Sequence, residues 1–248
     1  MKCLVVADLH YALKQLDWVQ LAAEKLDLVV IAGDLLDLAS MVDREAQTVV
    51  VLKYLERIAR KAPLLVSSGN HDGTERNTAD EAIARWLEEA REGGVLVDGD
   101  SWERDGTLFT IFPWWDGPVS REEVAQLLDK ESKKTFKKWV WVYHAPPDNS
   151  RVSWTGKKHA GDTFLVDWIH QYKPALVLSG HIHQSPFREN GSWVDRVGET
   201  WVFNTGRQIG PEPAFIILDL EKNTAAWTSL AGREMIDLND ISAQPQEA

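Results

Sequence analysis

Five short segments hold the side chains that could do chemistry: Asp8-Leu9-His10, Gly33-Asp34, Gly69-Asn70-His71-Asp72, Tyr143-His144 and Gly180-His181-Ile182-His183. Carboxylates from Asp8 and Asp34, imidazoles from His10, His144, His181 and His183, and the amide oxygen of Asn70 make a mixed nitrogen and oxygen donor set. Divalent Mn, Fe, Zn, Co or Ni accepts such a set, whereas Ca asks for oxygen almost throughout. Seven donors exceed what one ion needs. Two divalent ions sharing a carboxylate account for the excess, about 3.5–4 Å apart in sites of this kind. The chemistry that follows is metal-dependent hydrolysis. Of the 7 histidines, only His159 and His170 fall outside these segments, and they read as a loop residue and a helix-face residue.

Each segment follows an apolar run, most plainly Leu4-Val5-Val6-Ala7 before Asp8 and Ala175-Leu176-Val177-Leu178 before Gly180. Alternating ligating residues just past a strand, as in Asp8/His10 and His181/His183, suggest two halves of one site meeting at a sheet edge. Residues 2–7, 27–32 and 63–67 read as short buried strands rich in Val, Leu and Ile. Between them Leu16, Val19, Leu21, Ala22 and Leu26, then Val49, Val50, Leu52, Leu55 and Ile58, recur at helical spacing. A βαβαβ beginning with parallel pairing follows, and in open sheets of that kind ligands bind beyond the carboxyl ends of the strands.

A third helix is expected over 79–91, with Ile83, Trp86, Leu87 and Ala90 on one face and Gly93-Gly94 as its stop. Strands at 95–98, 107–112, 139–143 and 175–179 alternate with a charged helix at 120–135 and another at 162–172. Strands at 200–204, 214–220 and 224–229 read as a meander closing a second sheet. Residues 236–248 read as a frayed tail, leaving 1–235 as one domain.

With 248 residues, 44% of them hydrophobic, the chain can fill a substantial core. A net charge of -11 weighs against adhesion to nucleic acid or an anionic membrane, although bound cations can reverse the sign locally for an anionic substrate. Lys133, Lys134, Lys137 and Lys138 read as a solvated face diluted by Asp129 and Glu131. The lone Cys3 allows no internal disulfide and no cysteine-based zinc framework. No apolar stretch approaches the roughly 20 residues of a membrane span, and no signal-peptide pattern precedes Asp8, so a cytoplasmic location is expected. The 12 tryptophans, with Trp114, Trp115, Trp139, Trp141 and Trp154 clustered, suit core packing or a stacking wall for a nucleobase or aromatic ester.

In this order the segments resemble the motif set of the calcineurin-like metallophosphoesterase family, Asp-x-His, Gly-Asp, Gly-Asn-His-Asp, His and Gly-His-x-His, from residue 8 to residue 183. The resemblance implies Asp8, His10 and His183 around one metal, Asn70, His144 and His181 around the other, and Asp34 bridging. It implies that His71 is unligated and acts on the leaving-group oxygen. The implied fold is a four-layer α/β/β/α sandwich of two mixed β-sheets flanked by helices. The implied reaction is in-line attack on phosphorus by a metal-bridging hydroxide, because two cations lower the pKa of a shared water.

Gly33-Asp34-Leu35-Leu36-Asp37 resembles the Gly-Asp-x-x-Asp version of the second motif, in which the later aspartate orients the catalytic histidine; Asp37 could equally cap a helix. The protein Ser/Thr phosphatases of the family continue with Arg-Gly where this chain reads Leu38-Ala39, and commonly have glutamate at Asp72. A grip on a terminal phosphate dianion is therefore missing there. That favours small phosphodiesters, cyclic nucleotides among them, with aryl phosphate esters as side substrates. Arg76 and Arg207 are candidate phosphate contacts, although exposed arginines also make surface ion pairs. A nuclease of the same family and a noncatalytic metal-binding scaffold are the rivals; acidity weighs against the first, the complete donor set against the second.

Overall fold

β1 (Lys2–Val6), β2 (Leu28–Ala32) and β3 (Leu64–Ser67) lie parallel and in sequence order, Leu4 opposite Val29 and Val30 opposite Leu65, in a computed structural model that describes residues 1–240, 242, 246 and 247. α1 (Leu13–Ala22) and α2 (Arg44–Ala59) form the crossovers. Their buried faces are Gln15, Leu16 and Val19, and Gln47, Val51, Leu55 and Ile58. The expected stripes are thus offset, with Leu21 63% and Val49 60% exposed. The reason is polar: Gln15 donates to the carbonyls of Gln208 and Gly210, and Gln47 to those of Asp37 and Val42, so two glutamines fill core positions that a hydrophobic count leaves out.

A small hairpin of β4 (Glu75–Arg76) and β5 (Ala82–Ile83) occupies the start of the segment expected to be helical over 79–91, and α3 covers only Leu87–Glu92. Asn77 Oδ1 accepts the N–H groups of Ala79 and Glu81, and Asp80 turns left-handed at φ 63°. Side-chain capping of a turn thus competes successfully with helical periodicity. Residues 95–98 form only an isolated parallel bridge from Leu96 to Leu65.

The second sheet contains β6 (Ser101–Arg104), β7 (Thr107–Ile111), β8 (Lys138–Val142), β9 (Leu176–Ser179), β10 (Val194–Val197) and β11 (Thr200–Asn204), in the order β10-β11-β9-β8-β7-β6. β7, β8, β9 and β11 run parallel. Between them run α4 (Pro118–Ser132) and α5 (Thr163–Tyr172). The later meander of β12 (Phe215–Asp219), β13 (Thr224–Ser229), β14 (Gly232–Asp237) and β15 (Gln246–Glu247) joins the first sheet instead, β12 antiparallel to β1. Strand 200–204 therefore does not belong to that meander. It pairs in parallel with β9, Phe203 opposite Leu178, across an inserted loop that local sequence does not reveal. Ile236, 3% exposed, packs into the core, so ordered sheet extends into the segment expected to be a tail; residues 241, 243–245 and 248 of that segment lie outside the described residues.

Three apolar layers hold the sandwich together. Cys3, Val5 and Val30 from one sheet meet Ile111, Val142 and Leu178 of the other. The alternate residues Leu4, Val6 and Ile31 face Leu16, Leu55 and Ile58 of α1 and α2. Trp141 and Val177 face Val124, Leu128 and Leu165 of α4 and α5. Strands covered on both faces read as continuous apolar runs, which is why β1 and β2 are apolar at nearly every position. The architecture is two large mixed sheets flanked by helices. Cys3 sits at its centre, and burial pushes the thiol up to about 12. Among the described residues no helix is long and apolar enough to cross a membrane. Of the lysine cluster, Lys133 and Lys134 pair with Asp129 and Glu131, while Lys138 lies in β8 bonded to Asn223.

Candidate metal centre

The carboxyl ends of the parallel strands of both sheets deliver the five segments to one edge: Asp8 after β1, Asp34 after β2, Asn70 and His71 after β3, His144 after β8, His181 and His183 after β9. There the chain turns left-handed at Asp8 (φ 56°), His10 (φ 41°), Asp34 (φ 56°) and His181 (φ 67°). Such conformations cost a residue with a Cβ roughly 1–3 kcal/mol and persist only where the surroundings fix them. One such anchor is Asp72, fully buried. Its Oδ1 accepts the N–H groups of Leu35 and Leu36, and its Oδ2 those of Asp34 and Gly69, at 2.8–2.9 Å. Burial and the Asp34 carboxylate push Asp72 up to about 7, against these four donors. Gly33 and Gly69 have a packing reason: a Cβ on the first would overlap the His144 ring, and on the second the Asp34 carboxylate.

Among the described residues three donor clusters result, one of them His10, Asp37 and His71, and Asp34 belongs to the other two. Ligating atoms of Asp8, His10, Asp34 and His183 lie within 4.8 Å of one another, as do those of Asp34, His144 and His181. His10 Nε2 and His183 Nε2 approach to 3.0 Å, and His183 Nε2 lies 3.2 Å from Asp8 Oδ1. Asp34 Oδ2 is 3.2 Å from His144 Nε2 and 3.6 Å from His10 Nε2, while its Oδ1 accepts the His71 N–H at 2.9 Å. His144 Nδ1 donates to the Ala32 carbonyl at 2.7 Å, which aims Nε2 at the cluster. Two buried polar atoms there, His144 Nε2 and Asn70 Oδ1, have no hydrogen-bond partner. An unpartnered buried imidazole nitrogen among carboxylates and further imidazoles is a donor set that a divalent cation of the Mn-to-Zn group takes once His144 gives up its proton, so the residues fit such ions.

Electrostatics divide the histidines. Burial pulls His10 down to about 4 and, helped by the nearby His144, pulls His181 down to about 4, leaving both neutral at pH 7 with lone pairs available. Burial also disfavours charge on His144, but Asp34 and Asp8 outweigh it and hold that ring up at about 9. Asp8 and Asp34 lie below the usual carboxylate range, because His183 and His144 respectively overcome the burial that would raise them. A ligating imidazole must be neutral, so a cation held by His144 would displace its proton, and binding would tighten as pH rises toward 9. Calorimetry in buffers of different ionisation enthalpy, near pH 7.5, should read about one proton released per chain on loading. No proton release would contradict ligation by His144.

The calcineurin-like phosphoesterase family model matches residues 1–185, which include all five segments. The chain belongs to the calcineurin-like phosphoesterase family. No functionally curated protein matches the sequence. The protein TT1561 of Thermus thermophilus superposes with a TM-score of 0.59 at 14% identity, covering 96% of this chain and 98% of that one. The purple acid phosphatase PPD1 of yellow lupin superposes with a TM-score of 0.57 at 14% identity, covering 100% of this chain and 52% of that one. At these identities the two likenesses concern the fold alone, and for the lupin enzyme only half of its length.

Within this calcineurin-like chain the other expected residues divide. The His71 ring meets the His10 ring edge-on with centroids 4.5 Å apart, and a ligating atom of Asp37 lies within 4.8 Å of theirs. Asp37 does not cap α2, since Asp43 does; its Oδ1 instead accepts the Ala39 N–H. Arg207 donates its backbone N–H to the His183 carbonyl, and its charge helps depress His10. Arg76, 60% exposed, faces Asp80, bonding its carbonyl and pairing with its carboxylate. Arg44 carried no signal in the sequence, yet its Nη2 donates to the carbonyls of His71 and Gly73 and ties α2 to the loop that carries His71.

Proposed function

We propose that this chain hydrolyses small phosphodiesters, with cyclic nucleotides among the candidates, by in-line attack of water at a pair of divalent ions drawn from Mn, Fe, Zn, Co and Ni. The observation that carries the reading is a single carboxylate, Asp34, common to two donor clusters, one of which holds the unpartnered His144 Nε2. Cations held there would supply a water of lowered pKa and neutralise phosphoryl charge. The chain does the rest: Asp8, His10 and His183 form one half of the cradle, Asn70, His144 and His181 the other, and Asp34 joins them. His71 Nδ1 accepts the Leu38 N–H, which turns its Nε2–H outward to hydrogen-bond the leaving oxygen and stabilise the charge that develops there. Asp37 orients that ring, and Arg207 contacts the phosphate. The preference for a diester is supported by the missing arginine at Leu38-Ala39 and by the engagement of Arg76 with Asp80, which leave little cationic grip for a dianion. The domain runs through β14 to Asp237 and acts as one unit, in the cytoplasm.

The test is a metal-reconstituted activity panel of bis(4-nitrophenyl) phosphate, 4-nitrophenyl phosphate, cyclic nucleotides and single-stranded DNA. Diesters are expected to turn over fastest; a monoester rate far above every diester rate overturns the preference, and DNA as the best substrate makes the chain a nuclease. In the same assay His71→Ala should keep the full metal content and lose most turnover on esters with poor leaving groups, by about 10²–10⁴-fold, with a much smaller loss on 4-nitrophenyl esters. Loss of metal instead would make His71 a ligand.

A further inference from the structure

Beside the metal centre a cleft of about 330 Å³ opens between α3 and α4, walled by Leu87, Val97, Pro113, Trp114, Val124 and Leu127. Trp114 belongs to both places, because its ring centroid lies 5.4 Å from that of His181 and 5.8 Å from that of His144. Its backbone N–H donates to Ser68 Oγ at 2.9 Å, and Ser68, itself on the cleft wall, lies just before the Gly69-Asn70 turn. Trp114 and Ser68 therefore border both the cleft and the centre. Trp114 also stacks on Tyr143 at 6.2 Å and 16°, and Trp115 on Tyr143 at 3.8 Å and 4°, so the ring is held in a layered wall. His71 stands beside His10, whereas Trp114 stands beside His144 and His181. A leaving group directed at His71 thus lies on the His10 side, and a group retained on phosphorus is the one left for the Trp114 side.

Charge narrows the occupant. Arg85 and Arg91 on the rim are engaged by Glu75 at 3.5 Å and Asp100 at 3.1 Å, while Glu88, Glu123 and Asp98 also line the cleft. A second phosphate would meet carboxylates there; a flat neutral group would meet apolar walls, the Trp114 indole and, beside the Ser68 main chain, a fixed acceptor. That acceptor is Asp98, fixed by the Ser68 N–H on its Oδ1 at 2.8 Å.

We infer that this cleft binds the retained ester substituent of the substrate, a neutral aromatic group of nucleobase or aryl size, with Trp114 as its wall and Asp98 accepting its polar hydrogen. The inference rests on the phosphodiesterase reading and deepens it. Two variants that fill the cleft, Leu127→Trp and Ala84→Phe, are compared with the parent on bis(4-nitrophenyl) phosphate and on methyl 4-nitrophenyl phosphate, which share a leaving group and differ in the retained one. KM for the bis-aryl ester should rise at least about tenfold, with KM for the methyl ester and kcat for both within about twofold. Equal changes on both esters, or none, overturn the assignment. A separate arm measures adenosine binding to the metal-loaded protein by saturation-transfer NMR, expected in the parent and lost in the folded variants. If neither diester is hydrolysed the phosphodiesterase reading fails, and this arm alone decides the cleft: binding that survives both variants, or no binding to the parent, overturns it.

Discussion

Asp34→Asn should yield a folded chain that retains at most half of the parent's metal and loses more than about 100-fold in phosphodiesterase kcat, a fall beyond that usual for groups behind the ligands themselves. The substitution is nearly isosteric. Its amide oxygen can still accept the His71 N–H that Oδ1 takes at 2.9 Å, so the loop has little reason to move. What disappears is the negative charge facing His144 Nε2 at 3.2 Å and His10 Nε2 at 3.6 Å, the charge that lies between the two donor clusters. An NH₂ group turned that way would repel cations. Elemental analysis of dialysed protein and a steady-state assay check both halves; parent-like metal content with parent-like turnover would remove Asp34 from the centre.

Asp72→Asn should have its largest effect on stability, about 3 kcal/mol lost from the unfolding free energy of the metal-free protein. Four N–H groups converge on a fully buried carboxylate. An amide offers one acceptor oxygen, so two donors would face an NH₂ group, and at about pH 8.5, where Asp72 is ionised, each bond to the charged group is worth about 1.5–3 kcal/mol. Because those donors belong to Asp34, Leu35, Leu36 and Gly69, the damage falls on the two loops that set Asp34 against Asn70. Metal affinity should weaken by about 10–100-fold, the range seen when groups behind metal ligands are removed. Urea unfolding of both proteins, with and without metal, measures this; an unchanged midpoint would show that the loops hold their shape without the carboxylate.

The strands that position the donors were legible because each is buried on both faces and therefore reads as an unbroken apolar run ending at a polar segment. Asp8, His10, Asp34, His144, His181 and His183 could be picked out for the same reason, and the structure brings them together. The supporting shell was not legible. Asp72 stood in a motif without a role, since its work is done on the main chain of a loop that lies distant in sequence. Arg44 and Gln47 read as ordinary positions on a helix, yet both reach backbone carbonyls outside it. The helix expected over 79–91 failed where Asn77 and Asp80 bend the chain, a capping effect that outweighs apolar spacing. The sheet to which residues 200–204 belong depends on long-range pairing with Leu176–Ser179.

The donors are divided between the sheets: Asp8, His10, Asp34 and Asn70 follow strands of the first, and His144, His181 and His183 strands of the second. His10 and His183, whose rings nearly touch, are separated by 173 positions. A chain emerging from the ribosome therefore carries an incomplete set for most of its synthesis, and tight capture of a cation waits until residue 183 has come into place. Stalled or truncated products would compete poorly for scarce metal. Loading would report that the two sheets have met, and an ion once held would clip them at their shared rim.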